Sequence, residues 1–277
     1  MIELRGITKR IGHKTVLRDL NLKVEQGQFL GVIGPNGSGK TTLLHTISGV
    51  EHIESGEIDI DGKPVGSYRR RELARKLAVL QQDGIPSLAY PVKDVIEMGR
   101  FPFLDWLGRD LSSDAGQIID RIMMKLDLDS LADQPVDELS GGQRQRVALG
   151  KVMAQQPRVL LLDEPTTYLD IRYQLQFMEL VSEWQKDEDL TVVAVMHDLN
   201  LASMYCDRLV ALQEGSIAAE GTPQDILTPD TLKRVFEVES ALARHPDLGV
   251  PQIMLRREES YNEQFTNGAD RGNTYPE

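Results

Sequence analysis

The sequence predicts an α/β fold built on a mainly parallel sheet, and three short runs carry that prediction. FLGVI (Phe29–Ile33), VLLLD (Val159–Asp163) and VVAVM (Val192–Met196) are continuously apolar until polar or glycine-rich residues end them. Continuous rather than alternating apolarity marks strands covered on both faces, as in a parallel sheet. Segments with helical spacing lie between these runs, which completes the α/β pattern.

The other elements follow in chain order. LNLKVEQG (Leu20–Gly27) alternates apolar and polar residues, and EIDIDG (Glu57–Gly62) alternates before an Asp-Gly turn. Both predict a half-exposed antiparallel sheet near the N-terminus. DGIPSLAYP (Asp83–Pro91) carries Pro and Gly and reads as a hinge. From about 84 to 156 helical spacing dominates. There Ile118, Ile119, Ile122, Met123 and Leu126 recur at three- and four-residue steps, making one apolar helix face turned to a core. RREESYNEQFTNGADRGNTYPE, at the C-terminal end, is polar without an apolar period and reads as a disordered tail. No internal repeat is evident.

Composition narrows the function classes. The 277 residues, 40% hydrophobic, suffice for one large domain or two small ones. Lys and Arg number 31 against 43 Asp and Glu, a net charge of −12. That balance argues against a general nucleic-acid binder and leaves room for a local basic site for a phosphorylated small molecule. Cys206 is the single cysteine, so no intrachain disulfide is possible, which fits a reducing compartment. It sits in the helical-looking ASMYCDRLV and reads as a small buried hydrophobe, not a nucleophile. MIELRGITKR has no apolar h-region or cleavage site, so no secretory signal is expected. No run approaches the ~20 apolar residues of a membrane span. The expectation is a soluble protein that reaches any membrane through a partner.

GPNGSGKTT (Gly34–Thr42) matches G-x-x-x-x-G-K-[ST], with an apolar strand before it and a helical TTLLHTIS after it. Gly34, Pro35, Asn36, Gly37, Ser38, Gly39, Lys40, Thr41 and Thr42 form a candidate phosphate cradle. Backbone N–H groups and a helix N-terminus suit an anion there. Lys40 is expected at the β- and γ-phosphates, and the Thr41 hydroxyl on Mg²⁺. Asp163 ends a buried strand at the ligand edge of the sheet and is the candidate Mg²⁺ carboxylate. Glu164 follows it and is the candidate that polarises the attacking water. His197 ends a third buried run, so it should reach the same edge and contact the γ-phosphate. The bland alternatives are a glycine turn, solvated carboxylates and a structural histidine. They weaken because these features recur at one sheet edge.

With LSGGQ (Leu139–Gln143) lying some twenty residues before Asp163, residues 2–240 resemble the nucleotide-binding subunits of ATP-binding cassette (ABC) transporters. The resemblance implies a P-loop NTPase core, an N-terminal antiparallel β subdomain and an inserted α-helical subdomain over about 84–156. A C-terminal extension, 241–277, follows. The resemblance implies ATP and Mg²⁺ as ligands and a head-to-tail pairing with a second copy. Ser140, Gly141, Gly142 and Gln143 would then face the partner's ATP, and in a lone subunit their donors would face water. An ordinary Ser-capped helix start is compatible with the same residues. Gln82 aligns best with the glutamine that contacts Mg²⁺ or water, with Gln81 as the alternative register. Asp170 matches an aspartate at the dimer interface. Ile11 stands where relatives stack an aromatic ring on adenine. It cannot stack, so weaker base discrimination is expected, with ATP and GTP hydrolysed at similar efficiency.

The VIEMGRFPF and GTPQDILTPDTLKRVFEVE segments resemble the ATPases of importers for ferric siderophores, haem and cobalamin. The implied function is ATP hydrolysis driving uptake of an iron complex, a ferric siderophore before haem or cobalamin. Integral-membrane permease subunits are the implied partners and a substrate-binding protein an indirect one, at the cytoplasmic face of the membrane, with no nucleic acid. The rival is a soluble ABC ATPase of iron–sulfur assembly.

Overall fold

The N-terminal residues alternate in burial, and that alternation builds the first sheet. In this computed structural model, which describes residues 2–82, 85 and 89–256, β1 (Ile2–Ile11) and β2 (Lys14–Val24) form an antiparallel pair. Ile2, Leu4 and Ile7 of β1 point inward. β3 (Phe29–Ile33) is buried at every position and runs through a tight loop into α1 (Lys40–Ile47). β4 (Ser55–Ile60) returns antiparallel to β1, and the Asp61-Gly62 turn leads to the short β5 (Lys63–Pro64). α2 (Arg70–Ala74) then leads to β6 (Leu77–Leu80).

The middle of the chain is helical, as its spacing predicts. α3 (Val92–Glu97), a 3-10 segment (Met98–Phe103), α4 (Ala115–Lys125) and α5 (Gly141–Ala154) pack on one another. Ile118, Ile119, Ile122, Met123 and Leu126 all lie in the core. β7 (Val159–Asp163), α6 (Ile171–Glu188), β8 (Thr191–Val195), α7 (Leu199–Tyr205) and β9 (Arg208–Gln213) return to the α/β pattern. β10 (Ser216–Gly221), α8 (Pro223–Ile226), α9 (Pro229–Phe236) and the hairpin β11 (Ser240–Arg244) with β12 (Pro251–Leu255) follow.

The central sheet has the order β10-β9-β3-β8-β7-β6. Its pairings are parallel except for the edge strand β10. Side chains of β7 divide between two apolar cores: Leu160 and Leu162 face the helical segments and α6, while Val159 and Leu161 face α1 and the antiparallel sheet. This double burial explains the continuous apolarity of the run. Among the described residues no helix is long and apolar enough to cross a membrane.

Three expectations need adjustment. Cys206 is buried as expected but lies just past α7 in extended backbone, and burial pushes its thiol well above the usual range. The segment after 240, expected only as an extension, begins with the β11–β12 hairpin. Asn200 pins it: its Nδ2 donates to the Ile253 carbonyl at 3.4 Å and its Oδ1 accepts from the Ile253 N–H at 2.7 Å. The disordered tail assigned to the C-terminal end lies outside the described residues, as does most of the 83–91 hinge.

Leu161 is fully buried in the middle of the sheet. Leu161→Ala should destabilise the protein by about 2–5 kcal/mol. The check is a denaturant titration in which the midpoint falls while the slope stays the same.

Candidate functional site

The phosphate loop is shaped by what surrounds it. Gly39, immediately before α1, has φ 105, a left-handed value that glycine adopts freely. A Cβ there would meet Leu17 at 2.9 Å and the Val16 carbonyl at 3.0 Å. The loop therefore closes directly over β2. Lys40 Nζ donates to the carbonyls of Gly34 (2.9 Å) and Pro35 (3.0 Å), which folds its ammonium back across the loop. Burial lowers the Lys40 pKa, while Glu164 and Asp163 oppose that shift. The Ser38 hydroxyl oxygen is buried and has no hydrogen-bond partner among the described residues. An unpaired buried hydroxyl is costly, and a phosphate oxygen or its water would satisfy it.

The sheet brings the remaining groups to the same place. Asp163 pairs with Val195 in the β7–β8 register, and Val32 of β3 pairs with the same Val195. The C-terminal ends of these three strands are thus level. Thr41 Oγ1 donates to Asp163 Oδ1 at 3.2 Å. Burial raises the Asp163 pKa; the Thr41 bond works against it, Glu164 adds to it, and Lys40 opposes it. Glu164 has a left-handed backbone, φ 50, and its Oε1 lies 2.5 Å from His197 Nε2. Gln82 lies two residues beyond β6, whose Leu80 pairs with Leu162, so the register sets it beside the end of β7.

Thr41 and Asp163 offer a hydroxyl and a carboxylate, and Gln82, two residues past β6, is the nearby candidate for an amide oxygen. Such hard oxygen donors fit Mg²⁺. Among the described residues there is no group of three or more His, Cys, Asp or Glu able to hold a metal by themselves. Mg²⁺ here would draw its other oxygens from phosphate and water.

The LSGGQ segment forms the start of α5. Ser140 is its N-cap, accepting from the Gln143 N–H at 3.3 Å, while Gln143 Oε1 accepts from the Ser140 N–H at 2.9 Å. This reciprocal cap commits both side chains and leaves the exposed Ser140 and Gly141 at the helix mouth. The expectation that all these donors face water is corrected at Gly142. It is buried beneath the Tyr173 ring, where a Cβ would meet ring carbons at 2.5–2.9 Å. Asp170 caps α6, accepting from the Tyr173 N–H at 3.0 Å, between the exposed Tyr168 and Ile171. Ile11 is 53% exposed at the end of β1.

The structure thus brings together the phosphate loop, Asp163, Glu164, His197 and Gln82. It sets Ser140, Gly141, Gln143 and Asp170 at the starts of α5 and α6, and Ile11 at a hairpin end. Sequence reasoning missed Tyr173 and Gln145, whose Nε2 donates to the Pro165 carbonyl at 2.9 Å. A glycine flanked by polar residues hints at close approach, but nothing local says which ring will cover it.

Residues 17–167 match the family model described as ABC transporter. The chain is 37% identical to the ferric enterobactin transport ATP-binding protein FepC of Escherichia coli (strain K12), over 91% of this chain and 93% of that one. It is 35% identical to an uncharacterized ABC transporter ATP-binding protein, YvrA, of Bacillus subtilis (strain 168), covering 93% of this chain but only 58% of that longer protein. Other relatives are named for import of iron(3+)-hydroxamate, hemin and cobalamin. Among solved structures, a dimeric ATP-binding cassette bound to ADP and Pi is similar with a TM-score of 0.69 and 28% identity. That match covers 80% of this chain and 99% of the other.

Asp163 holds its proton more tightly folded than unfolded, so its ionised form destabilises the nucleotide-free protein. That penalty is present above its raised folded pKa and fades as pH falls toward the ordinary aspartate value of about 4. Asp163→Asn should therefore melt higher than the unsubstituted chain at pH 7, and the gap should narrow as the pH falls to about 4. Thermal melting of both proteins at the two pH values checks this.

Proposed function

The chain belongs to the ABC transporter family and is an ATPase, and from that premise we propose that it energises an importer for an iron complex, a ferric siderophore before haem or cobalamin. One observation carries the hydrolytic reading: the Glu164 carboxylate, 2.5 Å from His197 Nε2, follows the Thr41–Asp163 pair at the mouth of the phosphate loop. The cargo class rests on the relatives named for enterobactin, hydroxamate, hemin and cobalamin transport. The same names disfavour a soluble iron–sulfur assembly ATPase.

In this reading the N–H groups of residues 34–42 bind the β- and γ-phosphates at the start of α1, with Lys40 swinging from its carbonyls to the phosphate oxygens. Thr41, Gln82 and Asp163 would hold Mg²⁺, which supplies charge neutralisation at those oxygens. Glu164 orients the attacking water and accepts its hydrogen bond. His197 Nε2 holds the Glu164 carboxylate and would turn its N–H to a γ-phosphate oxygen when ATP is bound. Ser140 and Gly141 of a second copy close the site from across a head-to-tail interface, on which Asp170, Tyr168 and Ile171 also lie.

Permease docking is assigned to the helical insert. There Phe101 is 66% exposed and Trp106 88%, with Leu107 and Leu111 beside them in sequence also open. Arg100 beneath them is buried and anchors the loop. It bonds Asp110 at 2.8 Å, Ser112 at 2.7 Å and the last carbonyl of α5, Ala154, at 3.0 Å. A push on that apolar surface is thus delivered to α5. In this reading the protein works at the cytoplasmic face of the membrane, held there by its permease.

Glu164→Gln should lower kcat by more than about 100-fold while ATP binding persists. ATP should then shift the variant to twice its mass on size exclusion. Normal turnover would remove Glu164 from its assigned role. A strain lacking the protein should lose ferric-siderophore uptake, with restoration by the unsubstituted chain and not by Glu164→Gln. Intact siderophore uptake with lost haem or cobalamin uptake would reassign the cargo.

A further inference from the structure

Gln145 lies on α5, five residues past Ser140, and the chemistry described so far makes no use of it. Its Nε2 reaches across to the Pro165 carbonyl, 2.9 Å away, in a part-buried bond. Pro165 directly follows Glu164, whose φ of 50 is a value that side-chain-bearing residues rarely adopt. Such a backbone persists only when its surroundings hold it. The other side of the same loop is held by α6. Gln174 Nε2 donates to the carbonyls of Thr166 (3.2 Å) and Leu169 (3.1 Å). The two helices also meet directly, where the Tyr173 ring closes over Gly142.

We propose that Gln145 is a positioning residue that ties the Glu164 loop to the helix that begins at Ser140. The inference rests on the head-to-tail ATPase dimer of the preceding section. In that dimer Ser140 of one chain serves one ATP, while Glu164 of the same chain serves the other. Capture of a γ-phosphate at the mouth of α5 then moves Gln145, and Gln145 moves the Pro165 carbonyl. Glu164, one residue away, is set for its own site. The bond makes each site's readiness depend on occupancy of the other, within one chain and through a single amide. Two discrete arrangements of α5 against the sheet are sufficient for such coupling.

The test compares two substitutions in the full chain assembled with its permease. Gln145→Met keeps the length and volume of the side chain and removes the donor. Gln145→Lys restores a donor on a stem one bond longer. For Gln145→Met we expect kcat to fall about tenfold with the KM for ATP changed less than about twofold. The Hill coefficient for ATP, above about 1 in the unsubstituted protein, should fall to about 1. Gln145→Lys should recover at least about half of the lost kcat and raise the Hill coefficient again. Unchanged kcat and Hill coefficient in Gln145→Met, or a change confined to KM, overturns the proposal. The unsubstituted control separates this idea from its premise. Turnover without cooperativity overturns the coupling alone, and no ATP turnover overturns the function and the coupling with it. If Gln145→Met loses its cooperative melt, amide exchange on the unsubstituted chain decides. ATP should then slow exchange in 164–170 together with 140–146, and slowing confined to 140–146 overturns the proposal.

Discussion

Parallel pairing of β3, β8 and β7 is the constraint on which the site depends. One residue, Val195, is paired with Val32 on one side and Asp163 on the other. Three loops therefore leave the sheet at one level: the phosphate loop after β3, Glu164 after β7 and His197 after β8. No local interaction could bring Lys40, Asp163 and His197 together across such sequence distances. The hydrogen-bonded register does so because every side chain of these strands is buried. A slipped strand would expose an apolar face.

The helix α5 is the second organising element, and it works by reach. Its N-terminus presents Ser140 and Gly141, its middle touches the Glu164 loop through Gln145, and its last carbonyl is held by Arg100. Arg100 is 3% exposed, stacks on Phe103 at 4.0 Å and is matched by Asp110. An arginine so deeply buried is tolerated because its fork is satisfied on several sides. A helix tied at Gln145 and at Ala154 is placed to carry motion between the two ends, which is what the proposed transmission from permease to nucleotide requires.

The site also departs from what stability alone would favour. Asp163 is buried beside another carboxylate, Lys40 spends its donors on loop carbonyls, and the Ser38 hydroxyl has no partner among the described residues. Glu164 keeps an unfavourable backbone. These costs gather within one loop cluster while the two cores around it are conventionally packed. Charged phosphates and a hard cation are the ligands that would relieve them together.

The sequence by itself determined the fold class, the phosphate loop and the Asp163–Glu164 pair, because each is written in a short contiguous run. Buried strands are continuously apolar, and a phosphate loop needs its glycines at fixed spacing. The Ser140 cap was readable for the same reason. Only the tertiary structure decided that Tyr173 covers Gly142, that Gln145 holds Pro165 and that Arg100 joins the loop of Asp110 and Ser112 to α5. It also decided that Asn200 holds the β11–β12 hairpin against α7 through Ile253. Each of these joins segments distant in sequence or set on different elements, and a polar side chain carries no local mark of which carbonyl or carboxylate it will meet. Those partners are chosen by how the helical layer settles on the sheet, a property of packing that no single run of residues contains.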